Sequence, residues 1–281
     1  MSFNIKSAPD VISARTNPLL VRLCKLEEKK HREEEKMFRL DGIKLLLEAI
    51  DFGAEIEYIL VCEDAYEKIW ERLARHTDGR NASSCGTLVR LSSSAFEKLS
   101  NERSPEGVIT VVKYIDKLHK ICKIEKDSVF SIHGKTLMLE SVRDPGNLGT
   151  MLRSAAAFGF SNVIMTADCA DIYNPKTVRA AMGAIFKLSI IRVDDAGGAI
   201  SALQKDCRRV LAAALDESAV RLGEIELNEN DVFLIGNEGH GLSNEAIIAS
   251  DKTVFIPMTE GTESLNAAIA ASVCMWEMSK I

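Results

Sequence analysis

Residues 232–243 read VFLIGNEGHGLS. The apolar run Val232–Ile235 has the length and composition of a fully buried strand. Gly236, Gly239 and Gly241 follow, and a helix is expected to start near Ser243. A buried strand passing through a glycine-rich loop into a helix is one unit of an α/β fold. The glycines free the backbone for close approach to a ligand. No Gly-Lys-Ser/Thr follows and the spacing is not G-x-G-x-x-G, so neither a nucleotide phosphate loop nor a dinucleotide fingerprint is present. Glu238 adds negative charge, which disfavours a phosphate and tolerates a ligand with a positive centre. His240 pairs with no nucleophile or metal ligand and reads as a polar loop residue.

Around this loop the same pattern recurs. Strands are expected at Leu137–Leu139, Asn162–Met165, Leu188–Arg192, Val210–Ala213, Val232–Ile235 and Thr253–Ile256, with helices between most of them and a last helix over Glu263–Met278. Alternating strands and helices imply a mostly parallel sheet covered on both faces. Ligands of such sheets sit at the carboxyl ends of the strands. Two further polar loops fall there, at 141–149 and 257–264. In the first, Asp144-Pro145-Gly146-Asn147 is turn chemistry, with Asn147 expected to cap the next helix and Arg153 within two turns of its start. A turn, a cap and a surface arginine are the plain alternative. In the second, Ser264, Leu265 and Asn266 precede an alanine-rich helix, and a cap on a core helix is the plain alternative.

Upstream, Asn17-Pro18 marks a helix start, with leucines at helical spacing and charged residues running on to Lys36. Strands at Phe38–Leu40, Ile56–Cys62, Thr87–Leu91 and Gly107–Val112 alternate with helices at Ile43–Ile50, 64–76 and Ser94–Leu99. This is a smaller α/β unit over residues 1–112. Residues 113–134 are basic and weakly patterned and read as a linker, leaving 135–281 as the second domain.

Bulk composition agrees with two soluble domains: 281 residues, 46% hydrophobic and 27% charged. The cysteines are scattered and odd in number (7), with no C-x-x-C pair, so no metal site or disulfide framework is expected. The start of the chain lacks a signal-peptide core, and no run of about 18 apolar residues suggests a membrane span; a cytoplasmic protein is expected. The net charge of −6 argues mildly against a nucleic-acid partner. Basic stretches at 22–44 and 113–126 run against that balance, although solvated helix faces commonly carry such runs.

Each loop alone is a weak signal, but their joint order is specific. D-P-x-N-x-x-x-x-x-R, then G-N-E-G-x-G-L, then I-P-M-x-x-x-x-E-S-L-N resembles the three signature motifs of the SpoU/TrmH family, RNA ribose 2′-O-methyltransferases of the SPOUT superfamily. The block Asn174–Ala184 resembles the family's N-P-x-x-x-R-x-S-x-G segment, with Ala181 where Ser is usual. More weakly, residues 17–112 resemble the family's L30e-like substrate-binding domain. Phe38–Gly42 matches its F-x-x-E-G start, with Asp41 for Glu, and Ser104–Gly107 matches its P-x-G turn.

The resemblance implies a trefoil-knotted parallel sheet, a homodimer with the active site near the partner chain, and S-adenosylmethionine bound at Gly236, Ile256 and Leu265. It implies RNA as the partner, ribosomal RNA before transfer RNA, and no metal. The family's catalytic arginine maps to Arg153, as a proton acceptor or as a phosphate clamp that orients the 2′-hydroxyl. Asn147, Glu238, Ser264 and Asn266 match the polar motif positions that shape the loops and hold the ribose. Three alternatives stand beside this reading: a non-catalytic RNA-binding protein with the same fold, a base methyltransferase, and a generic nucleotide-binding α/β protein. The intact set of Arg153, Asn147, Glu238 and Asn266 weighs against the first, the S-L-N motif against the second, and missing phosphate-loop signatures against the third.

Overall fold

The computed structural model describes residues 10–77, 86–100, 102, 104–115, 119–122 (backbone), 130, 132–216, 218–259, 261 and 264–281. The chain divides into two compact units, Met1–Ile115 with Tyr173–Arg179, and Asp116–Ile172 with Ala180–Ile281.

The front unit runs β1 (Val11–Ile12), α1 (Pro18–Cys24), α2 (Lys29–Glu35), β2 (Met37–Asp41), α3 (Ile43–Phe52), β3 (Ile56–Cys62), α4 (Tyr66–Thr77), β4 (Thr87–Leu91), α5 (Ser93–Leu99) and β5 (Val108–Lys113). Its sheet has the order β1-β4-β3-β5-β2. β5 runs antiparallel to both β2 and β3, while β4 is parallel to β3 and β1. α1 starts as expected: the Asn17 side chain accepts from the Leu19 N–H and Pro18 takes the first helical position.

The helix expected to continue to Lys36 does not. A 3₁₀ turn at Lys25–Glu27 and an extended Glu28 separate α1 from α2. Such a break strands backbone carbonyls. The buried Arg32 guanidinium satisfies two of them, donating to Leu26 O (2.9 Å) and Glu27 O (2.6 Å).

The second unit contains β6 (His119–Cys122), β7 (Thr136–Leu139), α6 (Pro145–Ala157), β8 (Asn162–Thr166), β9 (Ser189–Val193), α8 (Ala196–Lys205), β10 (Val210–Ala213), β11 (Val220–Arg221), β12 (Val232–Ile235), α9 (Asn244–Ala249), β13 (Lys252–Phe255) and α10 (Ala267–Met278); α7 (Pro175–Ala181), between β8 and β9, falls mostly in the front unit. Its eight strands have the order β11-β13-β10-β12-β7-β8-β9-β6, and every pairing is parallel. The central strands are buried along their length, as a sheet covered on both faces requires. On one face Met138, Ile164, Val210, Ala212 and Leu234 pack against Ala199, Ile200 and Leu203 of α8 and Ala246 of α9. α10 packs on α6 and β12.

Four features of this unit differ from the sequence reading. β6 lies inside the stretch read as linker, paired along β9. β11, like β1, is a two-residue edge strand too short to leave a periodic signal. The cap of α6 is Asp144, whose side chain accepts from the Asn147 N–H at 2.8 Å, so Asn147 lies inside the first turn. The last helix begins at Ala267, with Asn266 as its cap accepting from Ala268 and Ile269; Glu263 lies outside the described residues. In both cases the residue whose side-chain oxygen meets free N–H groups sets the start.

The Tyr173–Arg179 segment belongs to the front unit. The Tyr173 ring stacks on Tyr114 at 3.9 Å between centroids, and its hydroxyl accepts from the Ile115 N–H at 2.9 Å.

Candidate active site

The loop after β12 folds back on itself. Asn237 and Gly241 exchange backbone hydrogen bonds at 2.9 and 3.0 Å, and the Asn237 Oδ1 accepts from the Gly239 and His240 N–H groups. Gly241 adopts φ +69°, which favours glycine. Gly236 is required for a different reason. A Cβ there would lie 2.3 Å from the Gly241 carbonyl carbon and 2.4 Å from the Leu242 nitrogen. The close approach that this glycine permits is thus to its own loop.

Buried Glu140, just after β7, anchors the far end of the loop by accepting from the Ser243 N–H (2.9 Å) and hydroxyl (2.7 Å). Ser243 in turn caps α9, accepting from the Ala246 N–H, which puts the helix start where the sequence places it.

One carboxylate joins this loop to the loop after β7. Glu238 accepts from the Asp144 N–H (3.1 Å), the Arg143 N–H (3.3 Å) and the Asn147 Nδ2 (3.0 Å). The Asn147 Oδ1 accepts from the Asn266 Nδ2 at 3.1 Å, which adds the third loop. Partial burial pushes the Glu238 carboxyl upward, but the Asn147 amide and the surrounding backbone N–H groups outweigh it and hold it below the usual carboxylate range. Glu238 is therefore ionised at neutral pH and serves as the knot of a polar line, Glu238–Asn147–Asn266. Sequence spacing showed that these residues belong to three loops, not that their side chains touch.

Beside this line lies a cleft of about 470 Å³. Gly236, Ile256 and Leu265 all line it, together with Glu238 and Ser264. Ala213, Leu242, Ile247, Val254 and Met258 make much of the remaining wall apolar. Asn147, Asn266 and Arg153 are not part of the lining. Arg153 is exposed on α6 and makes no ion pair or hydrogen bond to a described residue. One chain therefore brings together every expected site residue except Arg153.

Sequence reading passed over Asn237, although it stands inside the quoted G-N-E-G motif. Its Nδ2 donates to Ser141 O at 2.7 Å, a second tie between the same two loops. It also passed over Asp168, which follows β8 and accepts from the Ser141 hydroxyl at 2.6 Å and the Thr166 hydroxyl at 2.7 Å.

The basic stretch at 22–44 is largely neutralised on its own surface. Arg22 makes a two-armed contact with Glu35, and Lys29 and Lys30 pair with Glu33 and Glu34 one turn on. In the second stretch, Lys113 pairs with Glu55, and 116–118 and 123–129 lie outside the described residues. Asp41, the departure in the F-x-x-E-G match, lies 3.6 Å from Arg179 of the N-P-x-x-x-R block, and Glu102 flanks the same guanidinium at 3.6 Å.

Comparison with known proteins follows this geometry. Residues 134–276 match the SpoU rRNA Methylase family, and residues 17–110 match the MRM3-like substrate binding domain. A 23S rRNA (guanosine(2553)-2′-O)-methyltransferase of Bacillus subtilis is 28% identical over 90% of this chain and 93% of its own. A 23S rRNA (guanosine-2′-O-)-methyltransferase of Coxiella burnetii is 30% identical over 69% of this chain and 76% of its own. The crystal structure of an rRNA methyltransferase from Sinorhizobium meliloti, solved also with AdoMet bound, superposes with a TM-score of 0.79 at 27% identity, over 96% of this chain and 97% of its own.

Proposed function

Because this chain belongs to the SpoU rRNA Methylase family, we propose that it methylates a ribose 2′-hydroxyl of RNA, ribosomal RNA before transfer RNA, with S-adenosylmethionine as the methyl donor. The observation that carries the reading is the Glu238–Asn147–Asn266 line, which draws the three motif loops together beside an apolar cleft. The cleft suits that donor. Its volume is in the range of small-molecule sites, and its mostly apolar walls suit an adenine ring. Glu238 at the same wall favours a cationic centre over a phosphate. Gly236, Ile256 and Leu265 would hold the donor, which supplies an electrophilic methyl group on a sulfonium when bound.

The remaining work falls to the protein. A ribose hydroxyl must be aligned and must lose its proton as its oxygen takes the methyl. Asn147, Ser264 and Asn266 offer amide and hydroxyl groups for the ribose, and Glu238 fixes Asn147 for that task. Arg153 orients the RNA as a phosphate clamp; to accept the proton instead, its guanidinium would first have to give one up to solvent. Its position outside the cleft lining of its own chain is accounted for by a homodimer, in which the site lies near the partner chain. The exposed Ile269 and Trp276 of α10 give such a dimer an apolar face.

We read residues 1–112 as the RNA-binding part and 135–281 as the donor-binding and catalytic part. The segment after β13 passes beyond β10 to lay α10 on β12 and α6, which supports a knotted path. No helix among the described residues is long and apolar enough to cross a membrane; we infer a cytoplasmic protein.

The test is transfer of label from S-adenosylmethionine to protein-free 23S ribosomal RNA and to transfer RNA, with 2′-O-methyl mapping of the product. Label on a ribose of 23S RNA is expected. Label on a base, or donor binding without transfer to either RNA, would overturn the reading.

A further inference from the structure

Arg143 precedes the Asp144–Asn147 turn, and its N–H is held by the carboxylate that binds the Asn147 side chain. Its side chain is 71% exposed, and its guanidinium lies 3.5 Å from Asp168 Oδ2. An exposed ion pair at that distance adds little to the stability of a fold. The apparatus behind it is out of proportion to that gain. Asp168 is clamped by two hydroxyls, Ser141 Oγ on Oδ2 and Thr166 Oγ1 on Oδ1. The Thr166 hydroxyl also accepts from the Ser141 N–H at 2.9 Å. To make both contacts Ser141 adopts φ +54°, a left-handed conformation that is unfavourable for a non-glycine residue. Ser141 O meanwhile accepts from Asn237, so the strained residue ties the Asp168 cradle to the glycine loop. Backbone strain held in place by surrounding contacts marks functional positions more often than structural ones.

The cradle has no substrate-like feature of its own; what it does is hold one corner of an exposed guanidinium. That cation stands beyond the Glu238–Asn147–Asn266 line on the side of β8, at the carboxyl edge of the sheet. A planar guanidinium whose position is fixed and whose donors are mostly unused is suited to a phosphate. We propose that Arg143 grips a backbone phosphate of the RNA strand beside the target ribose, and that Asp168, clamped by Ser141 and Thr166, is its positioning residue. The proposal rests on the RNA-methylating reading and adds a substrate contact that the three motifs do not contain. Hydrogen bonds from Ser141, Thr166 and Arg143 outweigh the upward push of partial burial and keep the Asp168 carboxyl below its usual range, so the cradle stays charged at neutral pH.

The experiment compares the full-length wild type, Arg143→Ala, Arg143→Lys and Asp168→Asn for filter binding of protein-free 23S ribosomal RNA across a salt series. Calorimetry of S-adenosylmethionine and RNA kinetics at saturating donor accompany it. Arg143→Ala should bind RNA about 5- to 10-fold more weakly, with a log–log salt slope shallower by about one phosphate contact. Its donor affinity and kcat should stay within about 2-fold of wild type, and Arg143→Lys should restore the slope. Asp168→Asn separates positioning from net charge. Removing a negative charge near a phosphate would by itself tighten binding, whereas loss of positioning should raise KM for RNA with the slope unchanged. Unchanged RNA affinity in Arg143→Ala, a fall in donor affinity equal to the fall in RNA affinity, or tighter RNA binding by Asp168→Asn would overturn the proposal. A wild type that binds RNA but transfers no methyl would defeat the reading of the reaction, and the binding comparison would still decide Arg143.

Discussion

The two sheets of this protein distribute their loops in opposite ways. In the eight-stranded sheet every pairing is parallel, so β7, β8, β12 and β13 all end at one edge and deliver their loops there. In the five-stranded sheet β5 runs against both neighbours, and chain ends leave from both edges. The polar side chains follow suit. At the parallel edge Glu238, Asn147 and Asn266 form one line across three loops. In the mixed sheet, by contrast, Glu106 accepts from the Ile43 N–H at the start of α3, and the buried Arg39 donates to Leu99 O at the end of α5. Strand direction, rather than composition, gathers these polar side chains at one edge of the parallel sheet.

That contrast can be broken most severely at Arg153. If its work lies with RNA at the parallel edge, Arg153→Ala should fold and bind S-adenosylmethionine nearly normally while single-turnover methyl transfer drops by ~100-fold or more. Arg153→Lys should recover little, because lysine lacks the planar fork. Wild-type turnover by Arg153→Ala would remove the residue from the mechanism.

A smaller effect sharpens the role of the glycine loop. Gly236→Ala forces a Cβ into the loop's own backbone, and overpacking of this kind costs about 1–3 kcal/mol. It should weaken donor binding by roughly 10-fold and lower Tm together, whereas Gly239→Ala, whose Cβ would meet only Asn237 Oδ1 at 3.5 Å, should leave both near wild type. Lost donor binding with an unchanged Tm in Gly236→Ala would mean that the clash is with the ligand and not with the loop.

The smallest effect concerns pH. The folded state holds the Glu238 carboxyl below its usual range, so its contribution to stability is present at neutral pH and is lost as pH falls through the folded value. The Tm gap between wild type and Glu238→Gln should therefore be widest near neutrality and close on acidification. Solvent exposure of Glu238 keeps that gap modest. A gap independent of pH would show that the hydrogen-bond geometry matters and the charge does not.

Legibility from sequence followed the strength of local signals. β3, β4, β10 and β12 fall at their expected residues because short, mostly apolar runs rich in β-branched and aliphatic residues admit few other readings. β1 and β11, two residues each, and β6 within a lysine-rich stretch exist only because a neighbouring strand offers hydrogen bonds. The helix starts at Asp144 and Asn266 turned on which of several capping-type side chains reached the free N–H groups, a choice made by the path of the chain.

The order of three loop motifs determined the family, the parallel sheet and the residues that line the cleft, because each motif is local chemistry bound to a strand end. What only the tertiary structure decided is how those residues are used. Gly236 serves its own loop, Glu238 ties the Asn147 amide to the backbone of the neighbouring turn, and Asp168 holds Arg143 in a cradle built from a strained serine. These partners are separated by tens of residues in the chain, and their contacts depend on strand order in the sheet, which no local pattern encodes.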